Sequence, residues 1–211
     1  KRQQRPKWLC PSCSTQSALK IPEMQVQPAT FAPFSVEAIE QSLVARFEQQ
    51  VEKHSERTAI KQDNQQLTYQ QLNAAANRVA HTIVRHGGTD TAAPTTAAPV
   101  VIFIEQGADF ITALWGVLKS GNFYVPVDPG FPTQRNQYIV EDVQTRLILT
   151  CDRHLESAKT LAKSLPHPCE ILSVDTLQPD PLAENSTEEL TQNLHLNISP
   201  DALANIIYTS G

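Results

Sequence analysis

The sequence predicts an α/β fold, a mostly parallel, doubly wound sheet with helices on its faces. Two patterns carry that prediction. From Val100 onward, apolar runs of strand length alternate with stretches of helical period, the order that produces parallel sheets. Within that region Val100 to Ile104 is continuously apolar, as a strand buried on both faces must be.

The elements follow in order. Residues 1 to 34 hold five prolines and no apolar periodicity, so they read as a linker or tail, with the fold proper at 35–211. Val36, Ile39, Leu43, Phe47 and Val51 then recur at steps of three and four, which predicts a helix capped by Ser35. Thr58 to Lys61 and Gln66 to Tyr69, separated by the turn formers Asp63 and Asn64, read as a short hairpin. Thr68-Tyr69-Gln70-Gln71 fits a reciprocal capping box, in which each end residue satisfies a backbone N–H of the other. The helix it opens carries Leu72, Ala76, Val79 and Ile83 as its buried stripe and stops at Gly87-Gly88. Thr89 to Pro99, almost wholly Thr, Ala and Pro, reads as an exposed connection.

After the strand at Val100, Ala108 to Ser120 is predicted helical, with Phe110, Ile111, Leu114, Trp115 and Leu118 as its apolar side and Gly121 as its stop. Phe123 to Val127 is a strand in which Pro126 favours an edge or an early end. A helix from Pro132 to Val143, a strand from Arg146 to Thr150 and a helix from Arg153 to Leu165 capped by Asp152 come next. Glu170 to Val174 and Leu203 to Tyr208 are the last strands, and the acidic stretch 175–199 between them reads as a long surface loop. There is no internal repeat.

Composition narrows the function. At 211 residues, 40% hydrophobic and 18% charged, the chain is long enough for a real core. Lys1, Arg2, Arg5, Lys7 and Lys20 precede the first acid, Glu23, so the remainder sets twelve basic against 22 acidic residues, about −10. An acidic body argues against a nucleic-acid partner, because phosphate backbones require a basic face. No run approaches the roughly 18 apolar residues of a membrane span, and no signal-peptide pattern is present, so a cytoplasmic location is expected. The first residue is Lys1, so an earlier natural start is also expected. Cys10 and Cys13 form one CxxC without a second close pair, which is too few ligands for a structural zinc site. Cys151 and Cys169 flank apolar runs and read as small core residues, and the scattered histidines read as surface or satisfied core positions.

Parallel sheets bind ligands at the carboxyl ends of their strands, and Tyr208-Thr209-Ser210-Gly211 is a strand running into hydroxyl and glycine residues. Such a turn presents hydroxyls and bare amides to a phosphate, but by itself it is more often an ordinary turn. Two other segments supply context. Leu67-Thr68-Tyr69-Gln70-Gln71-Leu72 resembles the Leu-Thr-Tyr-x-Glu-Leu motif of the adenylation domains of nonribosomal peptide synthetases. Leu118-Lys119-Ser120-Gly121-Asn122-Phe123-Tyr124-Val125-Pro126-Val127-Asp128-Pro129, with Pro132 and Arg135 beyond it, resembles their second motif closely. Ser199 to Gly211 then looks like the approach to the third motif, a phosphate loop. Departures are Gln71 in place of Glu, Asn136 where an aliphatic residue usually follows the arginine, and a longer Thr/Ala/Pro connection.

The resemblance implies the N-terminal part of the large subdomain of an adenylate-forming enzyme, ending at the start of its phosphate loop. It implies attack of an amino acid carboxylate on the α-phosphorus of ATP, with Mg2+, and transfer of the acyl group to the phosphopantetheine thiol of a peptidyl carrier protein domain beside neighbouring synthetase modules. Thr209, Ser210 and Gly211 would begin the loop over the ATP phosphates. The magnesium ligand, the substrate pocket, the ribose-binding aspartate and the catalytic lysine lie beyond Gly211 in that family, so no catalytic residue is assigned and the chain alone is expected to be inactive. Asp128 and Arg135 read as ties for a proline-stiffened corner, and Lys119 as a complement to a helix dipole. Rival readings are a fatty-acyl or aryl acid ligase, a non-catalytic remnant or docking module, and a CxxC zinc adaptor. An incomplete sheet is expected to expose an edge and aggregate.

Overall fold

In the computed structural model, the residues described are 39–62, 65–86, 97–177 and 189–209. All lie within the compact unit Val36–Gly211. The tail at 1–34 with Cys10 and Cys13, the Gly87-Gly88 stop, the turn residues Asp63 and Asn64, and most of the Thr/Ala/Pro connection lie outside them.

The centre of the fold is a four-stranded parallel sheet built from β3 (Pro99–Phe103), β4 (Phe123–Pro126), β5 (Leu147–Thr150) and β6 (Glu170–Ser173), in the order β4-β3-β5-β6. Alternate residues of β3 enter opposite cores, as the pleat requires. Val100 and Ile102 meet Val79 and Ile83 of α2 (Tyr69–His86) together with Ala113 and Val117 of α3 (Ala108–Lys119). Val101 and Phe103 meet Ile139 and Val140 of α4 (Thr133–Asp142) and Ala158 and Leu161 of α5 (Leu155–Ser164). The doubly wound α/β architecture is therefore present, with α2 and α3 on one face and α4 and α5 on the other.

Before the sheet come α1 (Leu43–His54) and an antiparallel hairpin, β1 (Thr58–Gln62) with β2 (Gln65–Thr68). The helix begins later than Ser35: Ser42 is the cap, its hydroxyl accepting from the Ala45 N–H at 3.1 Å. Ile39 and Leu43 fit the helical period yet stay 64% and 56% exposed, whereas Val44 and Phe47 are buried, so the apolar stripe starts at Val44. The capping box of α2 forms as expected, with Thr68 N–H donating to Gln71 Oε1 at 2.9 Å and Gln71 N–H donating to the Thr68 hydroxyl at 3.2 Å.

The deepest face of α3 is not its large apolar side. Ala113, Gly116 and Val117 are buried where α2 approaches closely, and of the expected apolar side Leu118 is buried while Phe110, Ile111, Leu114 and Trp115 are half-buried. The Gln62 side chain caps this helix from the hairpin by accepting from the Ala108 N–H at 2.8 Å. Gly121 does stop it, at a left-handed φ of 78°.

Three further expectations change. Asp152 opens a short 3-10 turn, and its carboxylate accepts from the Ser173 hydroxyl at 2.5 Å instead of capping α5. Leu203 to Tyr208 forms no regular strand but a parallel bridge, Asn205 to Tyr124, on the free side of β4. The described end of the acidic stretch is not simply a surface loop: Asn193 Oδ1 accepts from Asn73 and Asn77 of α2, each at 3.0 Å, and the Thr191 carbonyl accepts from Asn77 at 2.6 Å. Cys151 is buried in the core on the α2–α3 face, and Cys169 is half-buried against the core on the other face. Among the described residues no helix is long and apolar enough to cross a membrane.

Candidate functional site

The carboxyl ends of the parallel strands meet one surface of the sheet, and Thr209 follows the segment laid beside β4. That segment is held by two backbone bonds: Tyr124 N–H donates to the Ala204 carbonyl and Ile206 N–H to the Tyr124 carbonyl, each at 3.1 Å. Thr209 is exposed. Ser210 and Gly211, the other two residues expected over the phosphates, lie outside the described residues. Tyr208 just before Thr209 is anchored instead by its side chain and carbonyl. Its hydroxyl donates to Asp142 Oδ2, its ring meets Tyr138 edge-on at 6.4 Å, and its carbonyl accepts from Arg135 Nη2 at 3.4 Å. Burial, with help from the Asp142 carboxylate, pushes the Tyr208 phenol up to about 12.

The corner between β4 and α4 is tied much as the prolines suggest. Asp128 Oδ1 accepts from the Gly130 N–H at 2.7 Å, closing a tight turn, and the Asp128 carbonyl accepts from Phe131 N–H at 3.1 Å. Asn136, where the family resemblance leads one to expect an aliphatic residue, is buried and donates to the carbonyls of Asp128 at 3.0 Å and Phe131 at 3.4 Å. The Arg135 guanidinium lies over the Phe131 ring, 5.0 Å from its centroid. Beside this corner is a cavity of about 150 Å3 walled by Phe103, Phe131 and Leu161, with the hydroxyls of Thr133, Ser157 and Thr160. It carries no charged lining residue, so it offers a phosphate no counter-charge.

At the ends of β3, β5 and β6 the acids Glu105, Asp152 and Asp175 are engaged with neighbouring cations, a hydroxyl and a backbone N–H. Glu105 pairs with Arg153 at 3.0 Å and lies 3.1 Å from His154 Nε2, and Asp175 Oδ2 accepts from the Asp152 N–H at 2.6 Å. Among the described residues no group of three or more His, Cys, Asp or Glu side chains is placed to hold a metal ion. Of the three residues expected over the phosphates, the described ones include only Thr209, exposed at the carboxyl side of the sheet.

Lys119 ends α3, the place expected of a complement to the helix dipole, and it has further partners. It is buried, ion-paired with Glu48 of α1, and donates to Asn193 Oδ1 at 3.1 Å. Burial pushes its ammonium below the usual lysine range, against the pull of Glu48. Sequence reasoning passed over Asn193, Asn77 and Asp142. For Asn77 a signal existed, since a lone amide between the buried Ala76 and Ala80 of an apolar stripe must find a partner. Asn193 and Asp142 sit in polar surroundings that mark nothing.

With this geometry in place, comparison with known proteins is informative. The AMP-binding enzyme family matches residues 47–211. The chain is 34% identical over 165 residues to tyrocidine synthase 1 of Brevibacillus parabrevis, covering 78% of this chain and 14% of that protein. It is 36% identical over 168 residues to gramicidin S synthase 1 of Brevibacillus brevis, covering 78% of this chain and 14% of that one. Among solved structures, the nonribosomal peptide synthetase FmoA3 in its α-methyl-L-serine-AMP-bound form superposes with a TM-score of 0.64 at 25% identity, over 79% of this chain and 17% of that one. The anthranilate CoA ligase AuaEII in complex with anthranoyl-AMP shares the fold at a TM-score of 0.62 and 17% identity, over 82% of this chain and 32% of that one. The chain thus spans a small part of the relatives it matches, and it belongs to the AMP-binding enzyme family.

Proposed function

We propose that residues 35–211 form the N-terminal part of an adenylation domain that activates an amino acid as its aminoacyl-adenylate. The activated acyl group then passes to the phosphopantetheine thiol of a peptidyl carrier domain within a synthetase. The observation that carries this reading is the identity of 34% and 36% to two peptide synthases across 78% of the chain. The family match at 47–211 takes in all three motif segments.

ATP with Mg2+ supplies the reaction with an electrophilic α-phosphorus and a pyrophosphate leaving group. The chain's own part is binding and positioning. The exposed Thr209 hydroxyl is proposed to donate to a phosphate oxygen, and Ser210 and Gly211 to continue the same cradle with a hydroxyl and a bare amide. The β4–α4 corner keeps the supporting strand in place.

The test is ATP–pyrophosphate exchange by the natural gene product that carries this sequence, with panels of amino acids, aryl acids and fatty acids. Exchange that depends on an amino acid supports the proposal. Exchange with aryl or fatty acids alone replaces it with an acyl-CoA-type ligase, and absence of exchange with every acid replaces it with a non-catalytic role.

A further inference from the structure

The second and third sequence motifs meet in space on one face of α4. Arg135, Tyr138 and Asp142 are spaced at i, i+3 and i+7, which places them along one side of the helix. Each touches Tyr208: the guanidinium on its carbonyl at 3.4 Å, the Tyr138 ring against its ring at 6.4 Å and 89°, and the carboxylate on its hydroxyl. The last described backbone bond from this segment to β4 is made by Ile206, so at Tyr208 the chain leaves the sheet and is steered by α4. The helix is a firm platform, because Ile139 and Val140 are buried in the sheet's core and Asn136 is pinned to the preceding turn.

We infer that Arg135, Tyr138 and Asp142 are positioning residues, which hold Tyr208 and thereby set where the Thr209 hydroxyl stands at the carboxyl side of the sheet. This rests on the proposed adenylation function and adds to it a mechanical link between the two motifs. Asp142 and Tyr138 lie outside every segment that carried the family resemblance. The alternative is that the three contacts merely close the sheet's edge, in which case losing one lowers stability and leaves nucleotide affinity alone.

The two are separated by kinetics of the natural gene product in ATP–pyrophosphate exchange, with a thermal melt of each variant. Tyr208→Phe keeps the ring and deletes only the donor. Asp142→Ala deletes the acceptor, and Asp142→Asn restores one. A lost hydrogen bond to a charged acceptor, discounted for its exposure, should raise the KM for ATP by roughly three- to tenfold in Tyr208→Phe and Asp142→Ala. The KM for the carboxylic acid should stay within about twofold, and Asp142→Asn should recover most of the ATP effect. Melting temperatures that fall while the KM for ATP holds within about twofold overturn the positioning role and leave adenylation standing. No exchange by the unaltered protein overturns both. If Asp142→Ala fails to fold, Tyr208→Phe decides the question, since it removes a single oxygen.

Discussion

Gly116→Ala tests the packing on which the whole α2–α3 layer depends. A Cβ added at Gly116 would lie 2.4 Å from Val79 Cγ1, 2.5 Å from Val79 Cβ and 3.2 Å from the Ala76 carbonyl oxygen. The Cγ1 contact yields to a rotamer change, but a Cβ is fixed to its backbone, so α2 and α3 must separate. They do so at a point where Ala76, Val79, Ala113 and Val117 are all buried, and separation loosens that cluster against the sheet. Replacing glycine by alanine inside a helix is intrinsically favourable by about 1 kcal/mol, whereas forcing a methyl into a filled core costs about 1–3 kcal/mol. Because the obstruction is backbone-fixed, the upper part of that range applies, and the net loss is about 2 kcal/mol. For a chain of this size that is a fall of about 4–8 °C in Tm. Thermal and urea unfolding followed by circular dichroism measure it. Adding Val79→Ala should rescue little, because the Val79 Cβ remains; Val79→Gly should remove the clash itself. A Gly116→Ala protein as stable as its parent, or more so, would refute the packing argument.

Thr68→Ala removes one half of the capping box and should cost about 1 kcal/mol in urea unfolding, while Gln71→Glu, which keeps the acceptor and adds charge at the helix start, should cost nothing or stabilise slightly. Lys119→Met orphans the Glu48 carboxylate and should destabilise by about 3 kcal/mol, the low end for breaking a buried pair, since Glu48 retains some contact with water. Since the folded chain holds the Lys119 proton less tightly than the unfolded chain, stability contributed by this residue rises as pH climbs through its folded pKa toward 10.5; paired melts should show the parent gaining on Lys119→Met over that alkaline limb. Tyr208, raised to about 12, contributes stability that is complete below the ordinary tyrosine pKa of 10.0 and lost as pH rises toward 12. Absorbance titration of the phenols should lose its highest transition in Tyr208→Phe.

The central strands β3 and β5 were legible because burial on both faces leaves little polar alternative, as in the run Val100 to Ile104. Local chemistry was legible wherever its partners lie within one turn: Thr68 with Gln71, and Gly121 at the end of α3. Failures came where a distant group competed for a side chain. Asp152 has the composition of a cap, but Ser173 of the adjoining strand takes its carboxylate. Ser35 and Ser42 are equivalent as serines ahead of an apolar period, and the choice of Ser42 depends on which apolar residues find a surface, Val44 and Phe47 rather than Ile39 and Leu43. Asn193 gathers donors from Asn73, Asn77 and Lys119, residues separated from it by 74 to 120 positions, and no local pattern announces such a hub. Of the candidate site, Thr209 is exposed at the end of its segment, which joins β4 by a single bridge and not as the strand that was expected.

The same competition between near and distant partners explains what the proline-rich corner is for. Pro126, Pro129 and Pro132 lower the entropy lost on folding a segment that must leave β4 and reverse at once into α4. Asp128 and Asn136 complete the reversal with bonds inside the corner. Arg135, Tyr138 and Asp142 then face outward along the helix to a chain segment some seventy residues later, with 73 positions separating Arg135 from Tyr208. A corner that flexed would move α4, and α4 would move Tyr208. On the inferred positioning role, rigidity at Asp128 bears on Thr209, and stability and nucleotide affinity should respond differently to damage there. Changes at Asp128 or Asn136 should lower stability first, whereas changes at Asp142 should weaken affinity for ATP beyond what any loss of stability explains.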